Sequence, residues 1–85
     1  MFGKEAKMAI AIAKAESGLR CEAVNVNRGG SVDKGVFQLN SVHTAKGNLD
    51  DCLEGIKIAK VIYDRQGWSP WVAYTNKSYK RFLTN

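Results

Sequence analysis

The sequence predicts an α+β fold that is mostly α, with a small β-hairpin or tongue between the first helix and the C-terminal helices. Three observations carry this. Residues 4–16 are rich in Ala, Lys, Glu, Met and Ile and hold no Gly or Pro. Residues 23–33 place two short β-prone pieces on either side of Arg28-Gly29-Gly30-Ser31, a turn signal. Beyond Asp50, apolar residues recur at three- and four-residue steps. At 85 residues the chain makes one domain, residues 1–85, near the lower limit at which a core stands alone.

Helix 1 runs to Glu16 or Ser17, because Gly18 just beyond suits a left-handed cap. Gly35-Val-Phe-Gln-Leu-Asn is mostly apolar and leads to Ser41, expected as N-cap of a short helix ending near Gly47. Asp50 or Asp51 then caps a longer helix whose stripe is Leu53, Ile56, Ala59, Ile62 and Tyr63, stopping at Gly67. Ser69-Pro70 is expected as N-cap and first turn of another helix holding Trp71, Val72 and Tyr74, and Ser78 to Leu83 adds a terminal turn. At least one of Trp68 and Trp71 belongs in the core.

Thirteen Lys and Arg against eight Asp and Glu give +5, which favours polyanionic partners. The cations are scattered and no recognition-helix or RNA-binding pattern accompanies them, which argues against nucleic acid. Cys21 and Cys52 with a single His, His43, are too few for a structural zinc site, so neither metal nor other cofactor is expected. The two cysteines either bond to one another or stay as small buried hydrophobes; free thiols are the expectation. The apolar stretch from Met8 to Ala13 is too short to span a bilayer and leads into Lys14 rather than a cleavage site, so neither membrane insertion nor an export signal is read from it.

The chemistry lies in two carboxylates. Cleavage of a glycosidic bond needs an acid kept protonated near neutral pH and often a second carboxylate facing the cationic transition state. Glu16, at the C-terminal end of an Ala-rich helix, meets unpaired carbonyls and the negative end of the dipole, which raise its pKa. Asp33 follows the Gly-Gly turn on a segment able to fold back towards it. It serves either as that second carboxylate or as a turn-capping side chain. Asn25, Asn27, Gln38, Asn40 and Ser41 offer neutral donors and acceptors for sugar hydroxyls and N-acetyl groups, and Trp68, Trp71 and Tyr74 offer flat faces. His43 has no acid partner nearby in sequence and is left outside the site. Ser17, beside the acid, is read as support for Glu16 rather than as a nucleophile.

Three blocks in order, Ala15-Glu-Ser-Gly-Leu, Asn25-Val-Asn-Arg and Ser31-Val-Asp-Lys-Gly-Val-Phe-Gln-Leu-Asn-Ser41, resemble the lysozyme and lytic-transglycosylase superfamily. The first is similar to the Glu-Ser motif of the transglycosylase SLT family, the other two to motifs of c-type lysozymes. Downstream, Leu49-Asp-Asp-Cys, Ile56-Lys-Ile-Ala-Lys-Val-Ile-Tyr and Gly67-Trp-Ser-Pro-Trp-Val-Ala-Tyr resemble the closing helices of compact SLT-type domains. The resemblance covers about residues 8–83 and implies a lysozyme-like fold. It also implies Glu16 as catalytic acid, Asp33 as second carboxylate seventeen residues on, and Tyr74 as a cleft tyrosine.

The departures are Lys34, where the family carries an aromatic, and Thr75, where SLT proteins carry Asn. The upstream helix and multiple disulfides of secreted c-type lysozymes are lacking, which implies a minimal phage or prokaryotic member.

The function so implied is that of a monomeric muramidase acting at the cell wall. It would cut peptidoglycan between N-acetylmuramic acid and N-acetylglucosamine, the runner-up being a lytic transglycosylase. Two other classes compete with these: a cell-wall-binding module in which Lys34 neutralises Asp33, and a cationic protein acting through charge alone.

Overall fold

The computed structural model describes residues 2–83, apart from the side chains of Thr44 and Ala45. In order come a 3₁₀ turn (Gly3–Glu5), α1 (Ala6–Ser17), β1 (Val24–Val26), β2 (Val32–Lys34), β3 (Leu39–Asn40), a 3₁₀ helix (Ser41–Lys46), α2 (Cys52–Gln66), α3 (Val72–Thr75) and a last 3₁₀ helix (Ser78–Phe82). Helices dominate and the strands form one small antiparallel sheet in the order β1-β2-β3, as expected of an α+β fold that is mostly α.

α1 ends where the sequence places its end. Gly18 takes φ 67°, a conformation that costs glycine little, and its N–H donates to the Lys14 carbonyl. Ala9, Ala11, Ile12 and Ala13 are buried, and the small Ala side chains let neighbouring elements approach this helix closely. α2 starts at the expected cap, with Asp51 accepting from the Glu54 amide at 2.9 Å, and stops at Gly67. Its inner face is Ile58, Ala59 and Ile62, with Ile56 and Tyr63 packed against the core. Leu53, expected in the stripe, is 56% exposed. The apolar stripe therefore begins a turn later than the spacing suggested.

Trp68 and Trp71 are both buried, and with Phe2, Phe37 and Tyr63 they form an aromatic cluster whose ring centroids lie 4.2–6.5 Å apart. Each indole is satisfied: Trp68 Nε1 donates to Glu5 at 3.2 Å and Trp71 Nε1 to the Phe37 carbonyl at 3.0 Å. Trp71 thereby joins the last helices to the strand region.

In the sheet, Asn25 faces Asp33 and Asp33 faces Asn40, so three polar residues run across one face. Gly30, at φ 93°, closes the β1–β2 turn by donating to the Asn27 carbonyl. β3 is an addition to the expected hairpin. It is two residues long, too short for any alternation to show in sequence.

Three local expectations are corrected. Ser41 does not cap the helix it begins: Asn40 Oδ1 accepts from the Val42 amide, while Ser41 Oγ accepts from Val32 N and ties that segment to β2. Ser69-Pro70 does not start α3, which begins at Val72 with no side-chain cap; Ser69 Oγ donates back to the Gln66 carbonyl. Cys21 and Cys52 are not free thiols but a disulfide with Cα atoms 5.3 Å apart. Cys21 is exposed and Cys52 half-buried, so neither serves as a core hydrophobe. The bond pins the loop after α1 to the first turn of α2. Among the described residues, no helix is long and apolar enough to cross a membrane.

Candidate active site

Between the end of α1, the sheet and the start of α3 lies a cleft of about 290 Å³. Its polar lining is Glu16, Asp33, Gln38, Asn40 and His43, and its apolar lining Leu39, Ile62, Pro70, Trp71 and Val72. A second hollow, of about 260 Å³, is bounded by apolar side chains alone, Phe2, Ile10, Leu19 and Phe37 among them, and offers no group for acid–base chemistry.

Glu16 occupies the cleft wall through its place in the last turn of α1. One carboxylate oxygen accepts from the Ala73 amide at 3.0 Å, a bond spanning 57 residues that locks the α1 end to α3. Burial pushes the Glu16 carboxyl above its usual range, the Ala73 hydrogen bond partly opposes this, and the negative charge of Asp33 adds to the rise. The rise has the direction expected from the place of Glu16 at the end of α1. In the folded chain burial is the first cause.

Beside it, Ser17 Oγ donates to the Val36 carbonyl at 2.7 Å and lies 3.2 Å from the Ala13 carbonyl. It thus fastens the helix end to the segment that returns from the sheet, the supporting place expected of it.

Asp33 comes from the middle of β2, on the face turned to the cleft, and accepts from Asn40 Nδ2 at 3.0 Å. Asn40 Nδ2 also reaches Ser31 Oγ at 3.2 Å. Lys34 falls on the opposite face of the strand, as the alternation of a strand requires, and pairs with Asp50 at 2.8 Å. The reading in which Lys34 neutralises Asp33 is therefore corrected: its ammonium is engaged elsewhere.

Of the other residues singled out in sequence, Gln38 and Asn40 reach the cleft and Asn25, Asn27, Ser41 and Tyr74 are not among those lining it. Gln38 adopts φ 51° and spends its amide internally, donating to the Ala23 and Gly35 carbonyls and accepting from Asn25 Nδ2. Asn27 donates to Ser31 Oγ within the hairpin turn. Tyr74 stacks on Tyr79, with centroids 5.2 Å apart.

His43, expected outside the site for want of an acid partner nearby in sequence, lies on the cleft. Its Nδ1 is enclosed without a hydrogen-bond partner among the described residues, and burial together with the Lys46 charge lowers its pKa. Asn40, three residues before it, shares the cleft, but Glu16, Asp33, Ile62 and Trp71 arrive from elements distant in sequence. Among the described residues, no group of three or more His, Cys, Asp and Glu is placed to hold a metal ion.

A family model described as a lysozyme-like domain matches residues 1–73. The chain belongs to the lysozyme-like domain family. Curated relatives of this lysozyme-like chain include Lysozyme c-1 of Anopheles gambiae, 31% identical over 90 residues, which covers 89% of this chain and 64% of that protein. Another is the tracheal isozyme of lysozyme C from Bos taurus, 34% identical over 92 residues, covering 87% and 63%. The lysozyme-like chain therefore spans just under two thirds of the length of these relatives. In fold it is similar to a lysozyme from Litopenaeus vannamei, with a TM-score of 0.73 at 24% identity over 100% of this chain and 86% of that one.

Proposed function

We propose that the chain is a muramidase, cleaving the β-1,4 bond between N-acetylmuramic acid and N-acetylglucosamine in peptidoglycan with Glu16 as general acid. The observation that carries this is the environment of Glu16. Its carboxyl is half-buried in a mixed polar and apolar cleft, held by the Ala73 amide and shifted towards its protonated form, with Asp33 on the same cleft. The lysozymes among its relatives support the choice of substrate.

In this reading Glu16 gives its proton to the bridging oxygen as the bond from that oxygen to the anomeric carbon breaks. Positive charge develops on the sugar ring, where the Asp33 carboxylate opposes it. Water adds at the anomeric carbon and returns a proton to Glu16, which restores the acid. Because the acid must be protonated to act, activity falls as pH rises through the raised Glu16 pKa.

Asp33 favours hydrolysis over the alternative, a lytic transglycosylase, in which the muramyl 6-hydroxyl adds in place of water. The test is digestion of purified peptidoglycan by wild type and by Glu16→Gln, with released muropeptides identified by mass spectrometry. Reducing-end products, reduced about 100- to 10,000-fold in rate by the substitution, are expected. Products lighter by one water identify the transglycosylase route and remove Asp33 from the chemistry. No product from wild type rejects an enzyme.

A further inference from the structure

One titratable side chain of the cleft is left unused by the acid–base pair. His43 lies on the 3₁₀ turn Ser41–Lys46 and shares the cleft with Glu16, Asp33 and Asn40. Of its two ring nitrogens, only Nδ1 is both enclosed and without a hydrogen-bond partner among the described residues. The two nitrogens of an imidazole are inequivalent: the neutral ring has one N–H donor and one bare acceptor, and the charged ring has two donors. An enclosed N–H with nothing to accept it costs more than an enclosed lone pair, and orphaned N–H groups are correspondingly the rarer.

That enclosure favours the tautomer that leaves Nδ1 bare and carries the proton on Nε2. The charged form, which needs a proton on Nδ1, is disfavoured by that enclosure and by the Lys46 ammonium on the same turn, in keeping with the lowered pKa of the residue.

We propose that His43 is a substrate-binding residue that donates one uncharged hydrogen bond, from Nε2–H, to an oxygen of the sugar bound in the cleft. This rests on the reading of the cleft as a glycan site and adds a residue to it. The chemistry that fits is an acceptor oxygen without formal charge, a hydroxyl or an N-acetyl carbonyl. Asp33 and Asn40 do not duplicate it, since the Asp33 carboxylate is an acceptor and the Asn40 amide is occupied by Ser31, Asp33 and Val42.

Two measurements test it. On the wild type, long-range proton–nitrogen correlation spectra of the single histidine should show the Nε2–H tautomer at neutral pH; a proton on Nδ1 overturns the proposal whatever the variants do. Titration with an N-acetylglucosamine tetramer should then show binding weakened about three- to tenfold in His43→Phe, which keeps an aromatic ring and loses the donor. His43→Gln, whose Nε2 stands near the place of the imidazole Nε2, should bind within about twofold of wild type. A merely structural histidine would not be rescued in that way.

Equal binding by His43→Phe and wild type overturns the proposal even if peptidoglycan is cleaved. His43-dependent binding by a wild type that releases no product supports it while rejecting the muramidase reading.

Discussion

The wall that carries Glu16 is held chiefly by apolar packing, whereas the wall that carries Asp33 sends Phe37 and Leu39 into the core and is held for the rest by side-chain hydrogen bonds and one disulfide. α1 buries Ile12 completely, and Ala9 and Ala13 beside it belong to one core with Ile58, Ile62 and the tryptophans. Across the cleft, β1 is exposed along its whole length, with Val24 and Val26 55% and 74% accessible. Beyond the buried Phe37 and Leu39, the tongue depends on Asn25–Gln38, Asn27–Ser31, Asn40–Asp33 and Ser41–Val32. A group that must be desolvated to stay protonated belongs on the dry side.

On this division the tongue should depend on its covalent anchor far more than α1 does. The Cys21–Cys52 bond closes a 31-residue separation that encloses all three strands. Replacing both cysteines by Ser should cost about 4 kcal/mol of stability by loop-closure entropy, a large share of what a domain of this size possesses. Urea unfolding measures the loss. Hydrogen exchange should then show amides of β1 and β2 opening before those of α1. Equal loss of protection in both regions would mean that the two walls form a single cooperative unit.

The dry wall is probed by Ile12→Ala, for which cavity formation at a fully buried site predicts a loss of about 3 kcal/mol. On the wet wall, Asn40→Ala removes hydrogen bonds to Asp33, Ser31 and Val42 and should cost about 1–2 kcal/mol. The contrast sharpens in the activity. Ile12→Ala should lose turnover only in proportion to the folded fraction, whereas Asn40→Ala should lose turnover at full folding because Asp33 is no longer oriented. Activity assayed at a temperature where circular dichroism shows both variants folded separates the two effects.

The same contrast explains what was legible in the sequence. The end of α1 at Gly18, the cap of α2 at Asp51 and its stop at Gly67 are local backbone chemistry, and each is where the residues place it. The carboxylates and two of the amides, Gln38 and Asn40, were legible because the motif blocks bracket the turn that brings them round. What escaped depends on distant partners. The Cys21–Cys52 pairing, the Trp71 bond to Phe37 and the orphaned nitrogen of His43 are set by which elements meet, not by any neighbour in the chain. Asn40 took the capping role expected of Ser41 for the same reason, since β2 offers Ser41 an amide that a helix N-terminus would otherwise have supplied.

The smallest expected effect tests the dry wall directly. The folded Glu16 pKa is raised, chiefly by burial and also by Asp33, so folding favours the protonated carboxyl. Below the ordinary carboxylate pKa both folded and unfolded chains are protonated and there is no penalty. As pH rises through the folded pKa, ionising Glu16 in its partly dry site takes stability away. Glu16→Gln keeps an oxygen to accept from the Ala73 amide and never ionises, so it should match wild type in acid and exceed it at neutral pH. The gain should not exceed about 1 kcal/mol, because the carboxyl is only partly buried and water screens it. Thermal melts across that pH range decide the matter. A variant less stable than wild type at neutral pH would show that the Ala73 hydrogen bond outweighs burial, and that Glu16 stands on the wet side of the cleft after all.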